Sequence, residues 1–261
     1  MIVCSARCLQ LLVIKDIQNT KQSGVGNGRF PAFEKDCIFT ISALHRNVIL
    51  LLDNRSTIDY SVYMNTVSDI SAQREHILEV AQTIIGKKGY AAVGLTEILT
   101  EAKVPKGSFY YYFKSKDAFG EALLKHYFVG YLAEMDNILS SPGQTNAERL
   151  MSYWLHWQNV QESFDCQGKC LAVKLGAEVS DLSEAMRLAL SSGTAGIISR
   201  LAKTIEEGIA DRSLAIKNDA QELAHTLYQL WLGASLMAKI TRDKAPLKNA
   251  MGATKAILNL R

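Results

Sequence analysis

The sequence predicts an all-α protein: a small N-terminal head of three helices, centred on a helix-turn-helix, carried by a larger helical bundle. Three observations predict it. From residue 71 onward apolar residues recur at helical spacing, and no alternating strand pattern appears. Breakers separate the periodic segments at Gly89, Pro105, Pro142-Gly143 and Pro246. The stretch Val93 to Lys116, VGLTEILTEAKVPKGSFYYYFKSK, reads as helix, tight turn, helix. With 261 residues, 48% of them hydrophobic, the chain is long enough for such a head and a sizeable core.

Residues 1–63 differ from the rest of the chain. They hold three of the five cysteines and a loop-like Gly24-Val25-Gly26-Asn27-Gly28, with no sustained helical period. Short β-leaning runs occur at Ile38–Ile41 and Val48–Leu52, without evident partners. This stretch is expected to be a non-native or disordered extension, with Met64 as an ordinary start. The opening MIVCSARCLQLLVI has Arg7 in mid-run and no small-residue cleavage site, so it makes a poor signal peptide. The longest apolar candidate, Ile38–Leu52, is interrupted by His45, Arg46 and Asn47, so no membrane span is expected. An odd number of cysteines without framework spacing points to free thiols in a cytoplasmic, reducing compartment.

The first helix is expected over Ser71–Lys88. Ile77, Leu78, Ala81, Ile84 and Ile85 share one face, Ser71 or Asp69 caps it, and Gly89 ends it. Leu95, Ile98, Leu99 and Ala102 space a second helix, with Gly94 at its N-cap and Glu97 in its first turn. Val104-Pro105 breaks that pattern, and a short third helix starts at Lys106. A long helix then runs from Ala118 towards Ser140, and another begins at about Asn146. Asp165–Gly168 is a turn, and Lys169–Glu178 is helical. Asp181 or Ser183 caps a helix to about Glu207, and Asp211–Asn218 is polar. Asp219–Thr241 and a helix after Pro246 complete the body.

The chemistry of the head suits DNA. The net charge of +3 is small, but residues 71–116 carry seven lysines and arginines against four glutamates. Ser108, Tyr110, Tyr112, Lys116 and the Lys106–Gly107 backbone supply donors of the kind that meet phosphates. Lys106, Ser108 and Tyr111 are best placed for base edges, whereas Phe109 and Phe113 should point inward. The run from Gly94 to Lys116 resembles the DNA-binding head of the TetR family of bacterial transcriptional repressors. Ile98, Ala102, Val104, Lys106, Gly107, Ser108, Tyr110, Phe113 and Lys116 carry the resemblance. It implies a homodimer on a double-stranded palindromic operator, with Gly94, Leu95, Thr96, Lys106, Gly107, Ser108, Tyr110, Tyr111, Tyr112 and Lys116 at the DNA. The chain departs from the family pattern at Gly94, usually Ser or Thr, and at Lys103, where a turn glycine is common.

The body resembles a thiol-switched branch of that family. The segments QGKCLAVKLGAEVSDLSE around Cys170 and WLGASLMAKITR at 231–242 carry this second resemblance. It implies release from DNA when a reactive electrophile or oxidant modifies Cys170, supported by Lys239, with Cys166 as a candidate second thiol. Neighbouring Lys169 and Lys174 would favour the thiolate. The resemblance also makes the last two long helices, with Leu223, Leu227, Leu230, Trp231, Ala234, Leu236, Met237, Leu247, Met251, Ile257 and Leu258, a dimer bundle; an intramolecular core is the alternative. One rival within the class is a repressor released by a non-covalent hydrophobic ligand lined by Tyr153, Trp154, Trp157, Phe164 and Met186. A thiol redox enzyme using Cys166 and Cys170 lacks the usual C-x-x-C spacing, and a metal held by His156, Cys166 and Cys170 has loose ligand spacing. No enzyme, cofactor or metal is expected.

Overall fold

The computed structural model describes residues 39–43, 46–50, 60–162 and 171–260, with side chains described from residue 70 onward. The chain divides into two units, Met1–Tyr63 and Met64–Arg261. In the first, β1 (Phe39–Ala43) pairs antiparallel with β2 (Arg46–Leu50), in a register that sets Phe39 opposite Leu50 and Ala43 opposite Arg46. The two β-leaning runs are therefore each other's partner, a pairing that the short separation permits. The remaining expectation for residues 1–63 falls largely outside the described residues.

The second unit is all-α among its described residues. It holds α1 (Tyr60–Lys88) from Met64 onward, α2 (Leu95–Glu101), a 3₁₀ turn (Lys106–Ser108) continuing into α3 (Phe109–Tyr112), and α4 (Lys116–Leu139). The body continues with α5 (Asn146–Glu162), α6 (Leu171–Leu182), α7 (Glu184–Ala210), α8 (Ala220–Thr241) and α9 (Ala245–Ile257). α1 starts well before Ser71, so Asp69 and Ser71 lie inside the helix and do not cap it. No Gly or Pro interrupts residues 60–85, so nothing in the sequence stops the helix from extending N-terminally. Asp181 is likewise inside α6, and Ser183 occupies the cap position of α7. Other starts carry side-chain caps. Ser115 accepts from Ala118 N–H, Asp219 accepts from Glu222 N–H at 2.9 Å, and Thr145 with Glu148 forms a reciprocal capping box ahead of α5.

The body core is centred on tryptophans. Trp154 of α5 stacks on Trp231 of α8 at 5.1 Å between ring centres, with Trp157 beside both. Two of the three indole edges are satisfied: Trp231 Nε1–H donates to Thr254 of α9 and Trp157 Nε1–H to Ser235 of α8, each at 2.9 Å. The apolar residues of the last two helices divide between two surroundings. Leu223, Leu227, Trp231, Ala234, Leu247 and Leu258 are buried within the chain, while Leu236 and Met237, together with Ile240, remain exposed. α4 and α7 pack closely because Gly193 has no side chain; any Cβ there would overlap the Phe128 ring. Asp136 of α4 accepts a two-pronged hydrogen bond from Arg200 of α7 at 2.6 and 2.9 Å, which holds its carboxyl below the usual range.

Candidate nucleic-acid interface

The head is built so that its turn and third helix stand out from a small core. Ile77, Leu78, Ala81 and Ile85 of α1 are buried, as are Ile98 and Leu99 of α2 and Ala102 at its C-cap, and Phe109 and Phe113 point inward as expected. Phe109, Phe113 and Phe119 form a ring cluster with centroid separations of 5.0 to 5.6 Å. Phe119 belongs to α4, so the cluster ties the reading helix to the first turns of the body's connecting helix. Arg74 of α1 closes it from outside, its guanidinium 5.2 Å from the Phe113 ring centre.

The turn between α2 and α3 explains the departure at Lys103. Lys103 adopts φ +55, the left-handed region that favours glycine. Its N–H bonds to Thr100 O at 3.1 Å and the Val104 N–H to Leu99 O at 2.8 Å, the paired bonds of a Schellman helix ending. Val104 and Leu99 are both buried, supplying the apolar contact of that motif. The turn thus keeps its geometry with lysine, at a backbone cost of about 1 kcal/mol. Pro105, at φ −58 and ψ 138, sits at the cap position and starts the 3₁₀ turn.

Around this turn the expected contact residues fall on accessible surface. Gly94, Thr96, Lys106, Gly107 and Lys116 are exposed, and Ser108 is half-buried. Tyr110 is 68% exposed and Tyr111 45%. Leu95 and Tyr112 are half-buried against the core, so packing takes part of each. Large aromatic rings left this open on a small head have no folding role that requires exposure; they suit stacking and apolar contact with a partner. Gly94 is the α2 N-cap and offers no side-chain bond there, as its identity dictates.

Lys116 and Tyr90 join head to body. The Tyr90 hydroxyl donates to Lys116 O at 2.7 Å, and the Lys116 ammonium lies 5.2 Å from the Tyr90 ring centre. Burial first, and then the charge of Asp117, push the Tyr90 phenol up to about 12. A second tie runs from His126 of α4 to Glu75 of α1 at 2.7 Å. Both ties escaped sequence reading, because each spans dozens of residues and has no local signature.

The sensor residues are only partly placed. Cys166 and Cys170 lie outside the described residues. Lys239 is half-buried in the last turn of α8, with no ion pair among the described residues. Of the hydrophobic-ligand set, Tyr153, Trp154, Trp157 and Met186 are buried in the core, and Phe164 lies outside the described residues. A cleft of about 560 Å³ lies between α1, α4 and α5, lined by Trp157 together with Tyr127, Tyr131, Glu75, His126 and His156. No group of three or more potential metal ligands occurs among the described residues, and His156 pairs with Glu134 at 3.2 Å.

This head and its exposed reading surface define a helix-turn-helix transcription regulator. Similarity to known proteins gives the family. Residues 77–123 match the model described as bacterial regulatory proteins, tetR family. Residues 147–254 match the tetracyclin repressor-like C-terminal domain. The chain is 40% identical over 185 residues, 71% of its length and 93% of the relative's, to the HTH-type transcriptional repressor NemR of Escherichia coli (strain K12). It is 32% identical over 174 residues, 67% of its length and 86% of the relative's, to the repressor DhaR of Mycobacterium sp. (strain GP1). The crystal structure of the reduced form of E. coli NemR superposes with a TM-score of 0.68, covering 72% of this chain and 97% of that one at 40% identity. The chain belongs to the TetR family of bacterial transcription regulators. Its relatives are regulators and not enzymes. No described helix is long and apolar enough to cross a membrane.

Proposed function

We propose that this regulator is a repressor that binds a palindromic operator as a two-fold dimer and is released when an electrophile or oxidant modifies Cys170. Residues 64–117 form the reading head, and residues 118–261 the regulatory and dimerisation body. The observation that carries the DNA half is the exposed cluster of Lys106, Tyr110 and Tyr111 on a turn held by the Lys103 backbone. Exposed Gly233, Leu236, Met237 and Ile240 on α8 support the dimer: an apolar stripe with a small residue for close approach. Two heads on one operator would sit about one DNA turn, roughly 34 Å, or a multiple apart.

The switch half is supported by the 40% identity to NemR, a solved form of which is described as reduced. The sequence sets Cys170 immediately before α6 and within about one turn of Lys174. A cation and a helix start both favour the thiolate that electrophiles attack. A maleimide adds to that sulfur across its double bond. Hypochlorous acid oxidises it to a sulfenic acid with loss of chloride, and an amine such as Lys239 then condenses with loss of water. The test is footprinting of the operator with wild type and Cys170→Ser, each with and without N-ethylmaleimide. Wild type loses its footprint and the variant keeps it; equal loss in both rejects Cys170.

One observation favours a second reading, release by a non-covalent ligand. The buried indole N–H of Trp154 has no hydrogen-bond acceptor among the described residues. An apolar ligand bearing one acceptor atom would satisfy it. Operator release of Cys170→Ser by a non-electrophilic hydrophobe would establish this route.

A further inference from the structure

Among the described residues, one side chain of α6 hydrogen-bonds to the head. Glu178 accepts from the main chain of the link between α1 and α2: from Ala91 N–H at 2.6 Å on one carboxylate oxygen and from Tyr90 N–H at 3.2 Å on the other. The link needs an acceptor there. Gly89 N–H still bonds back to Ile85 O, but Gly89 then turns the chain at φ +96, and the next two N–H groups leave the helical ladder. Glu178 takes both. Gly89 is suited to the join twice over. It adopts the left-handed backbone, and a Cβ there would stand 3.2 Å from the Glu178 carboxylate.

The placement couples two ends of the molecule. α6 begins at Leu171, the residue after Cys170, and carries Glu178 about two turns on. The link that Glu178 holds leads directly into α2 and the reading turn. Two other polar ties of the head, Tyr90 to Lys116 and Glu75 to His126, run to α4 instead, as does the Phe109–Phe113–Phe119 cluster. We propose that Glu178 is a positioning residue through which α6 sets the attitude of the reading head. Displacement of α6 withdraws the carboxylate from Tyr90 and Ala91 and frees α2 and α3 from the placement that fits DNA. The displacement itself rests on the reading of Cys170 as the switch; the hold on the head does not.

The experiment uses the full chain as wild type, Glu178→Ala, Glu178→Gln and Cys170→Ser. Three quantities are measured: amide exchange at Tyr90 and Ala91, operator affinity, and the ratio of operator affinities before and after N-ethylmaleimide, with Cys170 labelling tracked by mass spectrometry. Because the two ties to α4 remain, Glu178→Ala should fold. Its two amides should exchange about tenfold faster. Its operator affinity should fall about 3- to 10-fold, and its release ratio should shrink several-fold although Cys170 labels normally. Glu178→Gln keeps an accepting oxygen and should fall between alanine and wild type. Faster exchange with unchanged operator affinity and unchanged release ratio would overturn the proposal and leave Glu178 a local brace. Release of Cys170→Ser like wild type would reject the switch reading alone. The operator affinity of Glu178→Ala without reagent would then decide the role of Glu178.

Discussion

The head shows its aromatic rings and the body hides them. Tyr110 is 68% exposed, while Trp154 and Trp231 are at 0%. Both sets recur at helical spacing, so periodicity alone treats them alike. The difference lies in what each ring meets. In the body, α5 and α8 face each other, and Trp154 stacks on Trp231 while Trp157 and Trp231 find hydroxyl partners in Ser235 and Thr254. In the head, Phe109 and Phe113 take the few inward positions that a small core offers, leaving Tyr110 and Tyr111 outside. The lesson is that Tyr110 and Tyr111 of the head stay accessible to solvent, whereas the tryptophans of the body are committed to its core.

The sharpest way to break that contrast is Trp231→Ala. It removes a fully buried stacked ring and leaves Thr254 without its donor, so unfolding free energy should drop by about 3–5 kcal/mol. Denaturant titration measures it, and operator affinity of the molecules still folded should change little. A stable variant with lost operator binding would reverse the assignment. Next is Lys106→Ala in the head, with the opposite signature. Operator affinity should weaken by about 1–3 kcal/mol with relaxed base preference if Lys106 reads a base, while thermal stability stays within about 0.5 kcal/mol. Competition binding with single-base operator variants checks both parts.

Smaller effects sharpen the comparison. Lys103→Gly relieves the left-handed backbone at φ +55 and should stabilise the head by about 0.5–1 kcal/mol, read as a raised melting midpoint. The smallest concerns pH and belongs to the body. Asp211 accepts hydrogen bonds from Ser213 and then from Asn146 at the start of α5, which draw its carboxyl down to about 2. A depressed carboxylate adds stability above its unfolded value near about 4 and loses it as pH falls through the folded one. Melting midpoints of wild type and Asp211→Asn should therefore converge between about pH 4 and about pH 2. Parallel curves would remove Asp211 from the account.

Much of the head was legible in the sequence because its signals are local. Gly94, the Val104-Pro105 break and the inward Phe109 and Phe113 come from residue type and short spacing, and the resemblance to the family marks Lys103 as a departure from the usual turn glycine. The all-α body was legible as helices but not as a packing. Periodicity marks a face of α8 as apolar without saying whether α5 or a second copy covers it. The structure divides that face, sending Trp231 and Leu227 inward and leaving Leu236, Met237 and Ile240 exposed. The early start of α1 was missed because lack of a breaker is no positive signal. Glu178 was invisible for another reason: its partners lie 87 and 88 residues away and are backbone groups, which carry no residue code.

The most direct measurement of the whole account is a titration of operator-bound wild type with N-ethylmaleimide, monitoring DNA release and the modified fraction of Cys170 together. Release should rise in step with modification of Cys170, at one label per protomer. Release that runs ahead of Cys170 labelling, or full labelling with the operator still bound, would contradict it.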